Sequence, residues 1–428
     1  MEILVIGGLF LGLLLVLYGV GVPVAIAMAT TSVVVMVSPY GGGLNLGVIS
    51  NQLLFGLNSF SLLAIPFYLF LGRLMNYIGV TERLFRFANA LVGQFRGGIA
   101  HVNVAASLLF SGMSGAAVAD AAGLGRVEYS AMRDHGYGKS FSLGVTGSST
   151  IVGPLIPPSI PLIMYGVLAE ESIGDLFLGG LFPGFLLGFL LFGTVVVLAR
   201  RRGYEPDSTF SYHELWESFK GASGALVVPV LIIVGILSGV FTATEAGAVA
   251  VVYTLALGVV YGEVSLGELS REIQESTVET FALTFIIAAA ALYGLVAVQL
   301  QLPMMMAEAI TAVSDSQFVV LLLLVLLLLI VGTFMETIAA ITILVPVTIP
   351  ILDIVGIDPL YFGIVMVLTL MIGLLTPPFG IVLFVLEKVT DATLEEVIRG
   401  ILLFYIPLIL VLVIVLLFPE LVMYIPNL

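Results

Sequence analysis

The chain contains no cysteine, so neither a disulfide nor a thiolate metal site can form. It has three histidines, His101, His135 and His213, too scattered along the sequence to make a metal-binding cluster. Charge is scarce: 10% of the 428 residues are Asp, Glu, Lys or Arg, where a soluble domain carries about a quarter. No apolar–polar alternation runs along the chain, which argues against an outer-membrane barrel. No GxxxxGK[ST] phosphate loop is present, so the chain has no ATPase of its own. The N-terminus lacks a basic n-region and a small-residue cleavage site, so Ile3 to Tyr18 reads as a first span, not a signal peptide.

What fills the chain instead is apolar sequence, 60% hydrophobic with a mean hydropathy of +1.21. Many runs reach the roughly 17–25 residues that cross a bilayer, which predicts an all-α, polytopic membrane protein. Spans are predicted at 3–20, 22–37 and 60–79, with a weakly amphipathic segment, 45–58, before the third and a charged amphipathic stretch, 81–96, after it. A re-entrant hairpin is predicted over 98–127. A discontinuous span, 140–168, follows, broken by the four prolines of IVGPLIPPSIP, which remove backbone donors and clash with the preceding turn. A span at 176–199 and a polar linker, 203–219, holding the only tryptophan, Trp216, complete the first half.

The same order then recurs. Spans at 222–240, 242–262 and 279–299, with an amphipathic piece at 266–275, lead to a second hairpin at 318–352, a discontinuous span at 360–388 and a last span at 400–418. Adding 220 carries Pro157-Pro158 onto Pro377-Pro378, span 60–79 onto 280–299 and span 176–199 onto 396–419. Such internal repetition fixes architecture. If each hairpin enters and leaves on one face, each half crosses five times, so the two repeats are inverted. With the N-terminus outside, all 14 Lys and Arg residues fall on the cytoplasmic side, the bias that orients membrane proteins. Both termini are then extracytoplasmic, and the hairpin tips approach the midplane from opposite faces. The predicted division is 1–97 and 221–299 as scaffold helices, 98–168 and 300–390 as the two hairpin-plus-broken-helix units of a transport domain, 169–220 as a closing span with linker, and 391–428 as the C-terminal span.

Two stretches carry the chemistry, Leu108–Asp120 (LLFSGMSGAAVAD) and Val331–Ala339 (VGTFMETIA). Glycine and serine at Ser111, Gly112, Ser114 and Gly115 let the backbone turn. Non-helical backbone at membrane depth survives only where it is buried in protein or lines a wet cavity, and its freed carbonyls suit a hard cation. A first sodium site is predicted from Ser111, Gly112, Ser114, Ser149 and Gly153, and a second from Gly332, Thr333, Gly373 and Thr376. Gly and Ser equally serve close packing of membrane helices. Ser148, Thr150, Glu336 and Arg73 are candidates to line a solute path. Glu336 could instead tune cation affinity or carry a proton, and Arg73 could simply snorkel to the interface. Asp120 suits a helix cap or a pair with Arg126. No resident cofactor is expected, with sodium as the coupling ion.

One enzyme motif competes. Gly112-Met113-Ser114-Gly115 fits the GxSG pattern of intramembrane serine proteases, which also need a histidine base from a later membrane helix. His135 lies in a charged loop and His213 in a polar linker, so neither supplies it.

Taken together, SGMSGAAVAD, GPLIPPSIPLIMYG, SIGDLFLGGLFPG, GTFMETIAAITILVP and IGLLTPPFG resemble the large membrane subunit (DctM-like) of a TRAP, or tripartite ATP-independent periplasmic, transporter. The resemblance covers nearly the whole chain. It implies an elevator-type architecture and sodium-coupled uptake of an organic acid of the C4-dicarboxylate, sialic acid or keto-acid class. It also implies two partners, a small four-helix membrane subunit as a separate chain and an extracytoplasmic solute-binding protein, in a bacterial inner membrane or an archaeal cell membrane. The family's sodium-binding tips match Ser111–Ser114 and Gly332–Glu336, and its broken helices match Ser149–Ser159 and Gly373–Pro378. A stand-alone sodium-coupled carboxylate symporter or antiporter is the alternative of similar architecture.

Overall fold

The computed structural model describes residues 2–38, 45–114, 117–311, 314 and 316–427; the side chains of residues 2–6, 111–114, 310 and 311 lie outside that description. Every regular element among the described residues is helical. The first half runs α1 (Glu2–Gly19), α2 (Val24–Val37), α3 (Leu46–Leu57), α4 (Ala64–Tyr77), α5 (Val80–Val92), α6 (Gly98–Ser114), α7 (Ala117–Asp134), α8 (Lys139–Ser149), α9 (Ile160–Ala169) and α10 (Ile173–Arg202). The second runs α11 (Tyr212–Leu237), α12 (Ala243–Tyr261), α13 (Leu266–Gln299), α14 (Leu302–Thr311), α15 (Gln317–Phe334), α16 (Thr337–Val355), α17 (Pro359–Gly373), α18 (Ile381–Val389), α19 (Leu394–Ile401), α20 (Tyr405–Leu417) and α21 (Pro419–Met423). The repeat is retained residue by residue. Adding 220 to the bounds of α6 gives 318–334 against the 317–334 of α15, and for α7 gives 337–354 against the 337–355 of α16.

The helices begin and end where local chemistry says they should. Asn45 caps α3 by accepting from the Gly47 and Val48 amides, and Thr242 and Glu245 form a reciprocal capping box at α12, each satisfying amides that have no intrahelical partner. Gly203, Gly262 and Gly356 close α10, α12 and α16 at φ of 72°, 74° and 76°, a left-handed turn that glycine takes without steric cost. Eight helical segments among the described residues are long and apolar enough to cross a membrane, and the α8–α9 pair, bent by 40°, brings the number to nine.

Two packed groups result. In one, α13 lies against α2, α3 and α4, α12 packs on α4, and α11 on α5. In the other, α15 packs on α17, α8 on α19, α7 on α18 and α9 on α16, with α10 alongside α17 and α20. The groups meet through α5 and α4 with α6, and α13 with α16. Each residue of α17 from Leu360 to Gly373 is buried, as is each residue of α8 from Phe141 to Ser149. Helices hidden on every side mark the centre of a bundle, so the broken helices are its axis.

Three details differ from the sequence expectation. The polar linker is shorter than 203–219, because α11 begins at Tyr212 and carries Trp216; the Ser211 hydroxyl accepts from the Glu214 amide and starts the helix early. The amphipathic piece 266–275 is not separate from its span, since α13 is one helix of 34 residues. Its counterpart is interrupted between α3 and α4, where Asn58 and Ser59 stand at the positions of Val278 and Glu279. Asn and Ser side chains compete for nearby backbone groups and disfavour a helix interior. A further helix, α14, occupies a stretch where the pattern predicts no element, although adding 220 to α5 points to it.

Candidate functional site

The first break falls between α6 and α7, at residues 115 and 116, which lie outside the described residues. Ser111, Gly112 and Ser114 occupy the last turn of α6, and their side-chain geometry is likewise outside the description. The broken helix packed on α6 is fully described. α8 ends at Ser149, a single 3₁₀ turn covers Gly153–Leu155, and Ile156 is extended. The Pro157–Pro158 bond is cis. Ser159 then opens α9, its hydroxyl accepting from the Leu162 amide at 3.3 Å while donating to the Pro154 carbonyl.

The sequence reading overlooked the side chain that ties this region to the hairpin. Asn103, on α6 and 1% exposed, accepts from the Ser149 hydroxyl at 2.8 Å and donates to the Thr146 hydroxyl at 2.9 Å. The signal was present, because an amide inside the apolar run of IAHVNVAA must find buried partners. Ser149 lies at the junction of hairpin arm and broken helix, and Gly153 is buried in the turn beyond it. Ser148 and Thr150, candidates for the solute path, are also buried. Their hydroxyls donate to Gly144 and Gly147 carbonyls on the same helix at 2.6 and 2.8 Å.

The second break is described in full. α15 ends at Phe334, Met335 is extended, and Glu336 is the N-cap of α16, its carboxylate accepting from the Ile338 and Ala339 amides at 2.8 and 3.2 Å. Glu336 thus neutralises the positive end of α16, a role beyond those the sequence suggested. Against this tip lies the end of α17. A Cβ built on Gly373 would stand 2.7 Å from Gly332 Cα and 2.8 Å from its carbonyl carbon. Only two glycines let backbones approach so closely. The Thr333 hydroxyl donates to the Ile330 carbonyl at 2.8 Å and the Thr376 hydroxyl to the Ile372 carbonyl at 2.8 Å. A hydroxyl whose proton is committed in this way keeps lone pairs for a cation. No hydrogen bond to the Gly332 or Thr333 carbonyl occurs among the described residues. Beyond α17 the Pro377–Pro378 bond is cis, and the Leu374 and Leu375 carbonyls are taken by the Val382 amide at 3.1 Å and the Tyr405 hydroxyl at 2.5 Å. The structure therefore brings Gly332 and Gly373 into contact, with Thr333 and Thr376 in the turns on either side.

Two cavities flank this centre where the packed groups meet. One, of 530 Å³, is lined by Tyr68 and Arg73 of α4, Glu279 of α13, Asp120 and Gly123 of α7, and Ile160 of α9. The other, of 630 Å³, is lined by Gln52, Asn58 and Ser59 at the end of α3, Gly294 of α13, Glu171, and Pro346 of α16. Arg73 lines the first, but its guanidinium is committed. It meets Glu279 through two bonds, 3.1 Å from Nε and 2.5 Å from Nη2, and reaches Glu275 at 2.6 Å and Glu272 at 3.4 Å. The bidentate geometry is the strong form of such a pair, and it joins α4 to α13. Asp120 sits in the first turn of α7, where a carboxylate favours the helix end. The two histidines weighed for a protease, His135 and His213, are exposed.

The family described as Tripartite ATP-independent periplasmic transporter, DctM component, matches residues 11–421. The sialic acid TRAP transporter large permease protein SiaM of Vibrio cholerae is 42% identical over 409 residues, covering 95% of each chain. The C4-dicarboxylate TRAP transporter large permease protein DctM of Pseudomonas aeruginosa is 39% identical over 369 residues, 86% of each. Among solved structures, the YdaH transporter of Alcanivorax borkumensis, reported to have an unusual topology, superposes with a TM-score of 0.62 at 15% identity over 97% of this chain and 98% of its own. At that identity the likeness is one of fold.

Proposed function

The chain belongs to the DctM-component family of tripartite ATP-independent periplasmic transporters, and we propose that it is the ion- and solute-translocating subunit of a sodium-coupled importer of organic acids. The observation that carries the reading is the Gly332–Gly373 contact. Two interrupted backbones meet there, carbonyls that accept no hydrogen bond from the described residues lie beside hydroxyls with lone pairs to offer, and oxygen-only sites of this kind suit a hard monovalent cation. The pseudo-equivalent pairing of α6 with the α8–α9 break, braced by Asn103, supplies the first cation site from Ser111, Gly112, Ser114, Ser149 and Gly153.

In this reading the group built on α6–α9 and α15–α18 moves, while the group built on α2–α5 and α11–α13 stays in the plane of the membrane. The 530 and 630 Å³ cavities are the two sides of the interface along which it slides. Sodium at the tips neutralises the unbonded carbonyl dipoles and fixes the loops that receive the carboxylate of the solute. Sialic acid and C4-dicarboxylates, the solutes in the relatives' names, are both anionic organic acids, which supports that solute class. A small membrane subunit docks on the static group, an extracytoplasmic binding protein delivers the solute, and both termini lie outside the cell membrane.

The test is uptake into proteoliposomes holding the chain with its small-subunit partner, with and without a sodium gradient, against a panel of binding proteins loaded with sialic acid or succinate. Uptake that needs both sodium and a binding protein supports the proposal. Uptake indifferent to sodium refutes it, and uptake without any binding protein favours a stand-alone carboxylate carrier.

A further inference from the structure

Glu128 has no part in the sites above, yet it is 2% exposed inside the first hairpin, and its buried Oε1 has no hydrogen-bond partner. No ion pair to either oxygen occurs among the described residues. An isolated carboxylate in such surroundings costs far more than a fold can offset, and the group takes a proton instead. Even as a neutral acid it forfeits about 1–3 kcal/mol for polar atoms left unpaired. The fold does not require it. Adding 220 gives Thr348 on α16, equally buried, whose hydroxyl satisfies itself by donating to the Leu344 carbonyl at 2.9 Å.

It sits on α7 between a polar cluster and residues that line a cavity. One turn earlier, the Cβ position of Gly125 stands 3.4 Å from the Leu386 and Thr146 side chains. One turn later, Met132 receives the Asn103 amide at 3.9 Å. Neighbouring Val127 is 60% exposed and, with Asp120, Gly123 and Leu124, lines the 530 Å³ cavity. Successive helical residues differ by about 100°, so the buried carboxyl and the cavity wall share one helix.

We propose that Glu128 is a proton-binding site of the mobile group. A hydronium in the cavity gives a proton to the carboxylate: its O–H bond breaks, an O–H bond forms on one carboxyl oxygen, a water molecule is left behind, and the hairpin packs closed. Return of the proton to water requires α7 to part from α8 and α18. Few charges oppose or assist it. α7 itself carries Asp120, Arg126, Arg133 and Asp134. Arg133 is bonded to the Tyr137 carbonyl at 2.5 Å. On α8, Lys139 is paired with Glu396 at 2.9 Å and Asp391 at 3.7 Å. On α18, Glu387 accepts from the Leu394 amide at 3.1 Å and Lys388 is exposed. His101 on α6 stacks on Phe192 at 5.4 Å.

The role in ion coupling rests on the importer reading; the proton site itself does not, because it can be read without transport. Infrared difference spectra of the full chain in lipid nanodiscs, titrated with pH alone, should show in wild type the C=O stretch of a protonated carboxyl at neutral pH that disappears on alkalinisation. Glu128→Gln should lack that band, and if that variant does not fold, Glu128→Thr, which copies Thr348, replaces it. Absence of a Glu128-dependent band, or a band unchanged by pH until the protein unfolds, overturns the proposal. The melting-temperature rise produced by sodium chloride alone adds a second readout. Apparent sodium affinity should change roughly tenfold, about 1.4 kcal/mol, between neutral and alkaline pH in wild type and stay flat in the variant. Parallel profiles in the two refute the link to sodium while leaving the importer reading intact.

Discussion

Gly373→Ala is the most direct challenge to the proposed second cation site. The added methyl would stand 2.7 Å from Gly332 Cα, 2.8 Å from its carbonyl carbon and 3.2 Å from its oxygen. Carbon–carbon contacts settle at about 3.5–4.0 Å, so α15 and α17 must part by roughly 1 Å. All three contacts are backbone, and no side chain can rotate away. Overpacking of this kind costs about 1–3 kcal/mol of stability. Ligand distances in an ion site tolerate only about 0.2 Å, so sodium affinity should suffer more than the fold, by at least about tenfold or 1.4 kcal/mol. The control is Gly258→Ala on α12, whose methyl would meet the Ile78 and Val264 side chains at 2.8 Å. That change should lower the melting temperature without altering sodium dependence. Sodium-titrated thermal shift and sodium-dependent uptake read both effects. Wild-type sodium affinity in Gly373→Ala would refute the claim that the cation sits where these two backbones touch.

Three other substitutions probe separate parts of the structure. Asn103→Leu strands the buried Thr146 hydroxyl and leaves Ser149 only its bond to the Thr146 carbonyl, and should cost about 1–3 kcal/mol, read by thermal unfolding; an unchanged melting temperature would show the amide to be dispensable. Arg73→Leu leaves Glu272, Glu275 and Glu279 facing one another, and because these groups are partly exposed the loss should shrink as salt is added. Lysine should rescue it only in part, since it cannot make the paired bonds to Glu279; full rescue would argue against the bidentate geometry. Glu336→Gln keeps an acceptor for the α16 amides but removes the charge at the helix end, worth about 0.3–1 kcal/mol. It should lower sodium-dependent uptake while leaving expression intact.

The sequence made the architecture legible because the repeat is written in residues that break helices. Paired prolines and glycines cannot be absorbed into a continuous span, so their spacing of 220 marks corresponding places even where apolar runs are featureless. The Gly332–Gly373 contact was legible in the same way, since both glycines stand at the two breaks and meet across them. What lay hidden depends on neighbours remote in the chain. Arg73 could be read as snorkelling or as solute-facing, because nothing local announces three carboxylates about 200 residues away. Asn103 and Glu128 are single polar residues whose meaning lies in what surrounds them after folding. The helix α13 reads as two pieces in the sequence because its charged first turns and its apolar remainder differ in composition, though not in backbone preference.

That unbroken α13 has a mechanical corollary. At 1.5 Å per residue, its 34 residues form a strut about 51 Å long, well beyond the roughly 30 Å of hydrocarbon. Its counterpart is jointed at Asn58–Leu63. A load applied to one arm can flex at that joint, whereas the other transmits it undiminished along its length. The two halves share an ancestry of form but not of stiffness, and the endpoints of any stroke between them cannot be mirror images.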